Sequence, residues 1–270
     1  MRWVKHTLLA LIALLAGPVL ILAGGDVLGG DWRTASREPA NIAPDPATTN
    51  EAVVQIYGAR TYSWRGAFGV HTWISVKQTG APAYTNYEVI GWRKRWGNSV
   101  LAVHNGIPDR YWFGNKPELL AELRGNGVDE VIKKIDAAAR SYPWQDAYTV
   151  YPGPNSNTFT AWVAKEVPEL RLDLPPTAIG KDYLGDSLVG RAPSGTGYQF
   201  SIKGLFGVLA AAEEGLEINI IGLTFGVDPM SLAVKLPGIG RLGLIPQVSR
   251  VKEGGDHGTS GLKKTGAGSL

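Results

Sequence analysis

A chain of 270 residues, 44% of them hydrophobic, has material for one large domain or two small ones. The formal net charge of +3 is too small to point to nucleic acid as a partner. Cysteine is absent, which removes disulfides, thiolate metal sites and cysteine nucleophiles together and permits an oxidising compartment.

Residues 1–25 begin with Arg2 and Lys5 and continue as an apolar run from Thr7 to Gly24. A basic start before such a run marks a signal peptide or a transmembrane anchor. The run is near the length that spans a bilayer, although Pro18 and several glycines interrupt it. Ala23-Gly24-Gly25 offers a cleavage site that departs from the Ala-x-Ala pattern. A buried helix of a soluble protein is the third reading. The basic side is expected to stay in the cytoplasm, so membrane lipid is the partner expected for this segment.

Residues 26–50 read as a linker, because Asp31 to Asn50 is rich in Pro, Ala, Thr and Asn and poor in large apolar side chains. From Glu51 the pattern turns to strands: Ala52–Tyr57, Gly69–Lys77, Tyr87–Trp92 and Val100–His104, with Arg110–Phe113 closing the set. Along the second of these, Val70, Thr72, Ile74 and Val76 alternate with His71, Trp73 and Ser75. Asn105-Gly106 signals a turn. Pro117 then opens a helix over 118–123, and Val128, Val131, Ile132, Ile135 and Ala139 mark another, ended by Pro143. Two prolines and a glycine bar helix from Tyr151 to Pro154. After Asn157 the apolar residues Phe159, Trp162, Val163 and Val167 recur at helical spacing, so a helix starts at Asn155-Ser156-Asn157.

Strands followed by helices predict an α+β domain over 51–170, an antiparallel sheet with packed helices. Residues 171–250 read as a Pro/Gly-rich extension with strands at Tyr198–Ile202 and Leu216–Phe225, while Leu205–Glu214 suits strand or helix. Tyr198–Gly240 is expected to extend the sheet or cover one end of it. Residues 251–270, dominated by Gly, Ser and Lys, read as a disordered tail.

The start of the 156 helix carries two readings. Asn, Ser and Asn are the residues that cap helices. A small polar side chain there also sits at the positive end of the helix dipole, where nucleophiles are placed. Of the four histidines, only His71 and His104 lie in the expected core. No metal motif, nucleophile elbow or phosphate loop is present, so no metal or cofactor is expected. Trp92-Arg-Lys-Arg-Trp96 is the densest positive patch; it suits anionic lipid headgroups or a carboxylate ligand, or else is a solvated strand end.

Gly69-Val-His71-Thr-Trp-Ile, followed downstream by Pro154-Asn-Ser-Asn-Thr-Phe-Thr-Ala-Trp, resembles the permuted papain-like proteins of the PPPDE and NlpC type. The resemblance covers roughly Ala52 to Leu170 and implies a permuted papain-like fold. It puts Ser156 where those proteins carry cysteine, His71 at their histidine and Glu88 at the third polar position. Asn155 and Asn157 would then serve the oxyanion or the substrate. A serine must lose its proton to a base during attack, so the implied chemistry is that of serine hydrolases. Over nearly its whole length the chain also resembles a bacterial family, the domain of unknown function 3750. Pro152–Phe159, Val167–Lys181 and Lys235–Gly240 carry that resemblance. The resulting expectation is a protein of the bacterial inner membrane facing the periplasm, or an exported one, with Ser/His acyl-transfer or amide/ester hydrolase chemistry. Its ligand would be an acyl, peptide or other envelope group. The alternative is a non-catalytic binding or envelope-structural module built on the same domain.

Overall fold

The computed structural model describes residues 2–25, 31–244 and 249–250. The expected tail lies outside them. The chain opens with α1 (Arg2–Gly24). Among the described residues one helix, Trp3–Gly24, is long and apolar enough to cross a membrane by length and composition.

The first sheet is built from β1 (Val53–Arg60), β2 (Val70–Lys77), β3 (Thr85–Val89), β4 (Leu101–Asn105) and β5 (Glu118–Arg124). Its order is β5-β1-β2-β3-β4, all antiparallel, and the two-residue strand Ser249–Arg250 pairs in parallel outside β5. Register places Ile56 opposite Ile74 on one side and Ala121 on the other. Because successive side chains point to opposite faces, Val54, Ile56, Ile74, Val76, Tyr87 and Val89 share one face, which forms the main core. Two helices cover it, α2 (Val128–Arg140) and α3 (Ser156–Glu166). In α2 the buried Val128, Val131, Ile132 and Ile135 form the apolar stripe that the spacing predicts.

β5 occupies the segment expected to be a helix. Its Leu, Ala and Glu residues favour helix locally, but pairing along β1 overrides that preference. A bulge at Ile56/Tyr57 lets Leu119 pack on one face while Leu120 and Ala121 join the core on the other. Arg110–Phe113 does not form a strand; it contributes two isolated bridges, Pro39 with Arg110 and Trp112 with Asn115.

The opposite face of the first sheet carries Tyr57, Ala59, His71 and Trp73, and is covered in part by the stretch expected to be a linker. Ala40 N–H donates to Asp109 O, Tyr111 N–H to Glu38 O and Gly114 N–H to Ser36 O. The buried Asp109 carboxylate accepts from the Ile42 and Ala43 amides. Ile42 packs against the aromatic cluster below.

Residues 189–243 do not extend this sheet. They form a second, seven-stranded antiparallel meander: β6 (Val189–Arg191), β7 (Gly197–Ile202), β8 (Phe206–Ala211), β9 (Gly215–Ile220), β10 (Leu223–Asp228), β11 (Ala233–Leu236) and β12 (Gly240–Gly243). The single strand expected over 216–225 is two strands, split at Ile221-Gly222, where both residues take positive φ.

The seam between the sheets is the loop over 171–183, almost all of it buried. It ties to the first sheet through Val70 N–H, which donates to Thr177 O. It ties to the second through charge. Lys181 Nζ meets Glu217 Oε2 at 2.7 Å, and Lys235 Nζ meets both Glu217 Oε1 and Asp173 Oδ1 at 2.7 Å. Burial acts to raise the Glu217 carboxyl, and the two lysines overcome it and hold it low.

Breaking a buried ion pair from one side leaves an uncompensated charge, which costs about 3–5 kcal/mol. Glu217→Gln leaves Lys181 and Lys235 to share Asp173, so its unfolding free energy in urea, measured on the full chain in detergent, should fall by about 3 kcal/mol. A loss under about 1 kcal/mol, the size of an exposed pair, would show that the quartet is solvated.

Candidate functional site

β3 runs beside β2 and β4, and strand alternation turns Glu88 toward the aromatic face. Three donors converge on this one carboxylate, which is 1% exposed. His71 Nε2 stands 3.2 Å from Oε2, and His104 Nε2 stands 2.9 Å from Oε1. Arg110 Nη2 donates to both oxygens, at 2.8 and 2.7 Å. Arg110 Nη1 is buried and has no hydrogen-bond partner among the described residues. The Trp112 ring stacks on the His71 imidazole at 3.7 Å, and Trp92 stacks on Trp112 at 5.9 Å. These rings form a ladder from the buried histidine to a half-exposed tryptophan. Trp92, expected at the end of a strand, lies instead in the 3-10 turn Gly91–Trp96, which also presents Arg93, Lys94 and Arg95.

The electrostatics follow from position. Burial alone would raise the Glu88 carboxyl; hydrogen bonds from His104 and His71 and the charge of Arg110 reverse this and hold it well below the usual carboxylate range. The same carboxylate, helped by Asn105 O at Nδ1, raises His104, which is half-exposed. Burial lowers His71, and Glu88 opposes that only in part. The hub is therefore an anion ringed by donors, with Arg110 on both oxygens, and it offers a cation no vacant carboxylate.

Ser156 lies elsewhere. Thr72, next to His71 on β2, points to α3, where its hydroxyl donates to Asn157 Oδ1 at 3.0 Å and lies 3.4 Å from Ser156 O. His71 points the other way, to Trp73, Trp112 and Glu88. The structure thus brings His71 and Glu88 together and leaves Ser156 across the sheet from both. Ser156 Oγ makes no hydrogen bond among the described residues.

Its neighbours do structural work. Asn155 caps α3: its Oδ1 accepts from the Asn157 and Thr158 amides, and Thr158 Oγ1 returns the contact by accepting from Asn155 N–H. The Asn155 and Asn157 side-chain amides both donate to Ile179 O, at 3.0 and 2.9 Å. Asn155 also donates to Val150 O, Asn157 to Val70 O, and Thr158 Oγ1 to Gly180 O. Gly180 has φ of +91°, and a Cβ there would come 2.6 Å from Asn155 Nδ2.

Residues 51–183 match the family described as "Protein of unknown function (DUF3750)". This stretch belongs to that family. No curated protein and no solved structure matches the chain. The DUF3750 segment holds the first sheet, α2, α3, the Glu88 hub and the seam loop. Two of the three phrases that carry the family resemblance meet in space, where Asn155, Asn157 and Thr158 grip Ile179 and Gly180. The third lies beyond the matched residues, and its Lys235 reaches back to Asp173.

His104 and Arg110 are the hub residues that spacing did not single out. Register offers one signal for His104: Asn86 pairs with it, which sets it diagonal to Glu88 on the same face. Arg110 sits in a loop, where no period marks a side chain's direction.

Glu88→Gln removes the charge that both Arg110 and His104 answer, so it should destabilise the full chain by about 3 kcal/mol near pH 6. The gap from wild type should depend on pH in a defined way. Glu88 is depressed in the fold, so its share is present above its ordinary 4.5 and fades as pH falls below that. His104 is raised, so its share is complete below 6.5 and fades as pH climbs through its higher folded value. Urea unfolding from pH 3 to 9 should show a gap that is widest between these limits. A pH-independent gap would show that the variant acts by packing alone.

Proposed function

We propose that the protein is a membrane-anchored envelope module that binds an acidic glycan at the aromatic–basic face above Glu88. The observation behind this is the ladder Trp92–Trp112–His71. It joins a flat, half-exposed aromatic surface to a hub rich in fixed donors, beside Arg93, Lys94 and Arg95. Trp faces present apolar area to the faces of sugar rings, and guanidinium groups match carboxylates in geometry and charge. His104, whose pKa is raised by its hydrogen bond to Glu88, adds a second basic group at the surface. In this reading α1 is the anchor, and Arg2 and Lys5 keep its start in the cytoplasm, so the binding face looks outward.

The acyl-transfer reading needs the Ser156 hydroxyl within hydrogen-bond reach of a base. The side chain of His71 turns away from α3 and toward Glu88, which favours the binding role over a papain-like catalytic one.

The test is tryptophan fluorescence of the full chain titrated with oligogalacturonate, with neutral galactose oligomers as control. Binding should weaken with salt and as pH rises through the raised pKa of His104. Trp92→Ala and Arg95→Ala should each weaken it about 10-fold or more, on the scale of a buried aromatic or charged anchor. Ser156→Ala should bind as wild type. Equal response to neutral oligomers would refute the charge-based reading. Ester or amide hydrolysis lost in Ser156→Ala would establish the catalytic one instead.

A further inference from the structure

The second sheet is inside out. In an ordinary sheet with one covered face, apolar residues point in and polar ones point out. Here the covered face holds Gln199, Ser201, Glu217, Asn219, Thr224, Asp228 and Lys235, all buried, with Leu209 and Ala233 as its buried apolar members. The open face is apolar in every strand from β7 to β12. Register sets its side chains in unbroken rows. Phe200, Val208, Ile218 and Phe225 lie side by side across β7 to β10, and Leu216, Val227, Val234 and Leu242 across β9 to β12. Phe200, Val208, Ile218, Val227 and Leu242 stay exposed. No charged side chain interrupts these rows, and Arg191, paired with Tyr198, stands at the rim. Soluble proteins rarely leave a patch of this kind uncovered.

The helix α1 indicates what covers it. Gly17 and Pro18 are buried against the turn that joins β11 to β12. A Cβ on Gly17 would fall 1.9 Å from Pro237 O, and one on Gly238 would fall 2.6 Å from Pro18 N, so the two backbones touch. At 1.5 Å per residue this contact lies about 10 Å inside the distal end of the helix. The hydrocarbon layer is about 30 Å thick, so a spanning α1 carries the turn to acyl-chain depth. Irregular backbone at that depth needs partners within the protein. Arg60 supplies them by donating to Gly238 O and Ile239 O.

We propose that the open face of the second sheet is a monotopic membrane surface, seated in the outer part of the same bilayer that α1 crosses. Its strands of four to six residues reach at most about 20 Å, too short to span as a barrel does and suited to one leaflet. The occupant is lipid acyl chain, with Arg191 placed at headgroup level. This inference rests on α1 being the membrane segment and is independent of the glycan reading.

The absence of native cysteine allows a direct test. Full-length Ile218→Cys, Phe200→Cys, Lys133→Cys and Ile12→Cys variants, each with one environment-sensitive fluorophore, are reconstituted in phosphatidylethanolamine/phosphatidylglycerol vesicles. Quenching is read with acyl-chain nitroxide lipids and with aqueous iodide. The labels at 218 and 200 should be quenched at least threefold more by the lipid nitroxides than the label at 133, and several-fold less by iodide. Iodide quenching at 218 and 200 equal to that at 133, with the label at 12 in lipid, overturns the proposal while the anchor stands. A label at 12 that iodide reaches overturns the anchor, and the proposal with it. Shielding at 218 that rises with protein concentration, gives 218–218 cross-links and is insensitive to lipid nitroxide assigns the face to a second copy and also overturns it.

Discussion

A buried loop must find a partner for every polar backbone group it takes out of water. The loop over 171–183 is such a segment, and most of the molecule is arranged to answer it. Ile179 O accepts from both Asn155 and Asn157, Gly180 O from Thr158, and Leu174 O from Lys181. Thr177 O accepts from the first residue of β2. The side chains that begin α3 therefore serve three ends at once. They cap the helix, they satisfy the loop, and they fix the helix against β2 through Thr72.

The same loop carries Asp173, Lys181 and Asp182 to the covered face of the second sheet. There Asp182 accepts from Ser201 and Asn219, while Lys181 joins Glu217 and Lys235. A sheet whose inner face is polar needs this matched set, since an apolar filling would strand its donors and carboxylates. The inverted second sheet and the seam loop are thus one solution. The polar groups meet inside, and the apolar groups are turned out.

What was legible in the sequence was what local period encodes. β1 to β4, α2 and the start of α3 stand where alternation and helical spacing place them, and Asn155 acts as the capping residue its type suggests. β5 was illegible because Leu119 to Leu123 suits helix by propensity and becomes strand only through its long-range pairing with β1. The linker reading of 31–50 missed that backbone amides there find Asp109 and its neighbours, contacts that no period announces. β7 and β9 were legible as strands, whereas the segment of β8 suited strand or helix. Which side faced the interior was not legible, since both a soluble sheet and a lipid-facing one alternate with period two. At the site, Glu88 beside His71 follows from adjacent strands. The separation of Ser156 from His71 follows from a one-residue parity, with Thr72 rather than His71 facing α3, and motif spacing does not report parity.

The seam loop should make the two sheets one cooperative unit. Native-state hydrogen exchange of the full chain across a denaturant series, read by mass spectrometry, measures this. Amides in β2 and in β9 should open with the same free energy and the same denaturant dependence, as parts of one global unfolding. If β9 opens at a distinctly lower free energy while β2 stays protected, the second sheet is a separate unit and the seam does not bind the two.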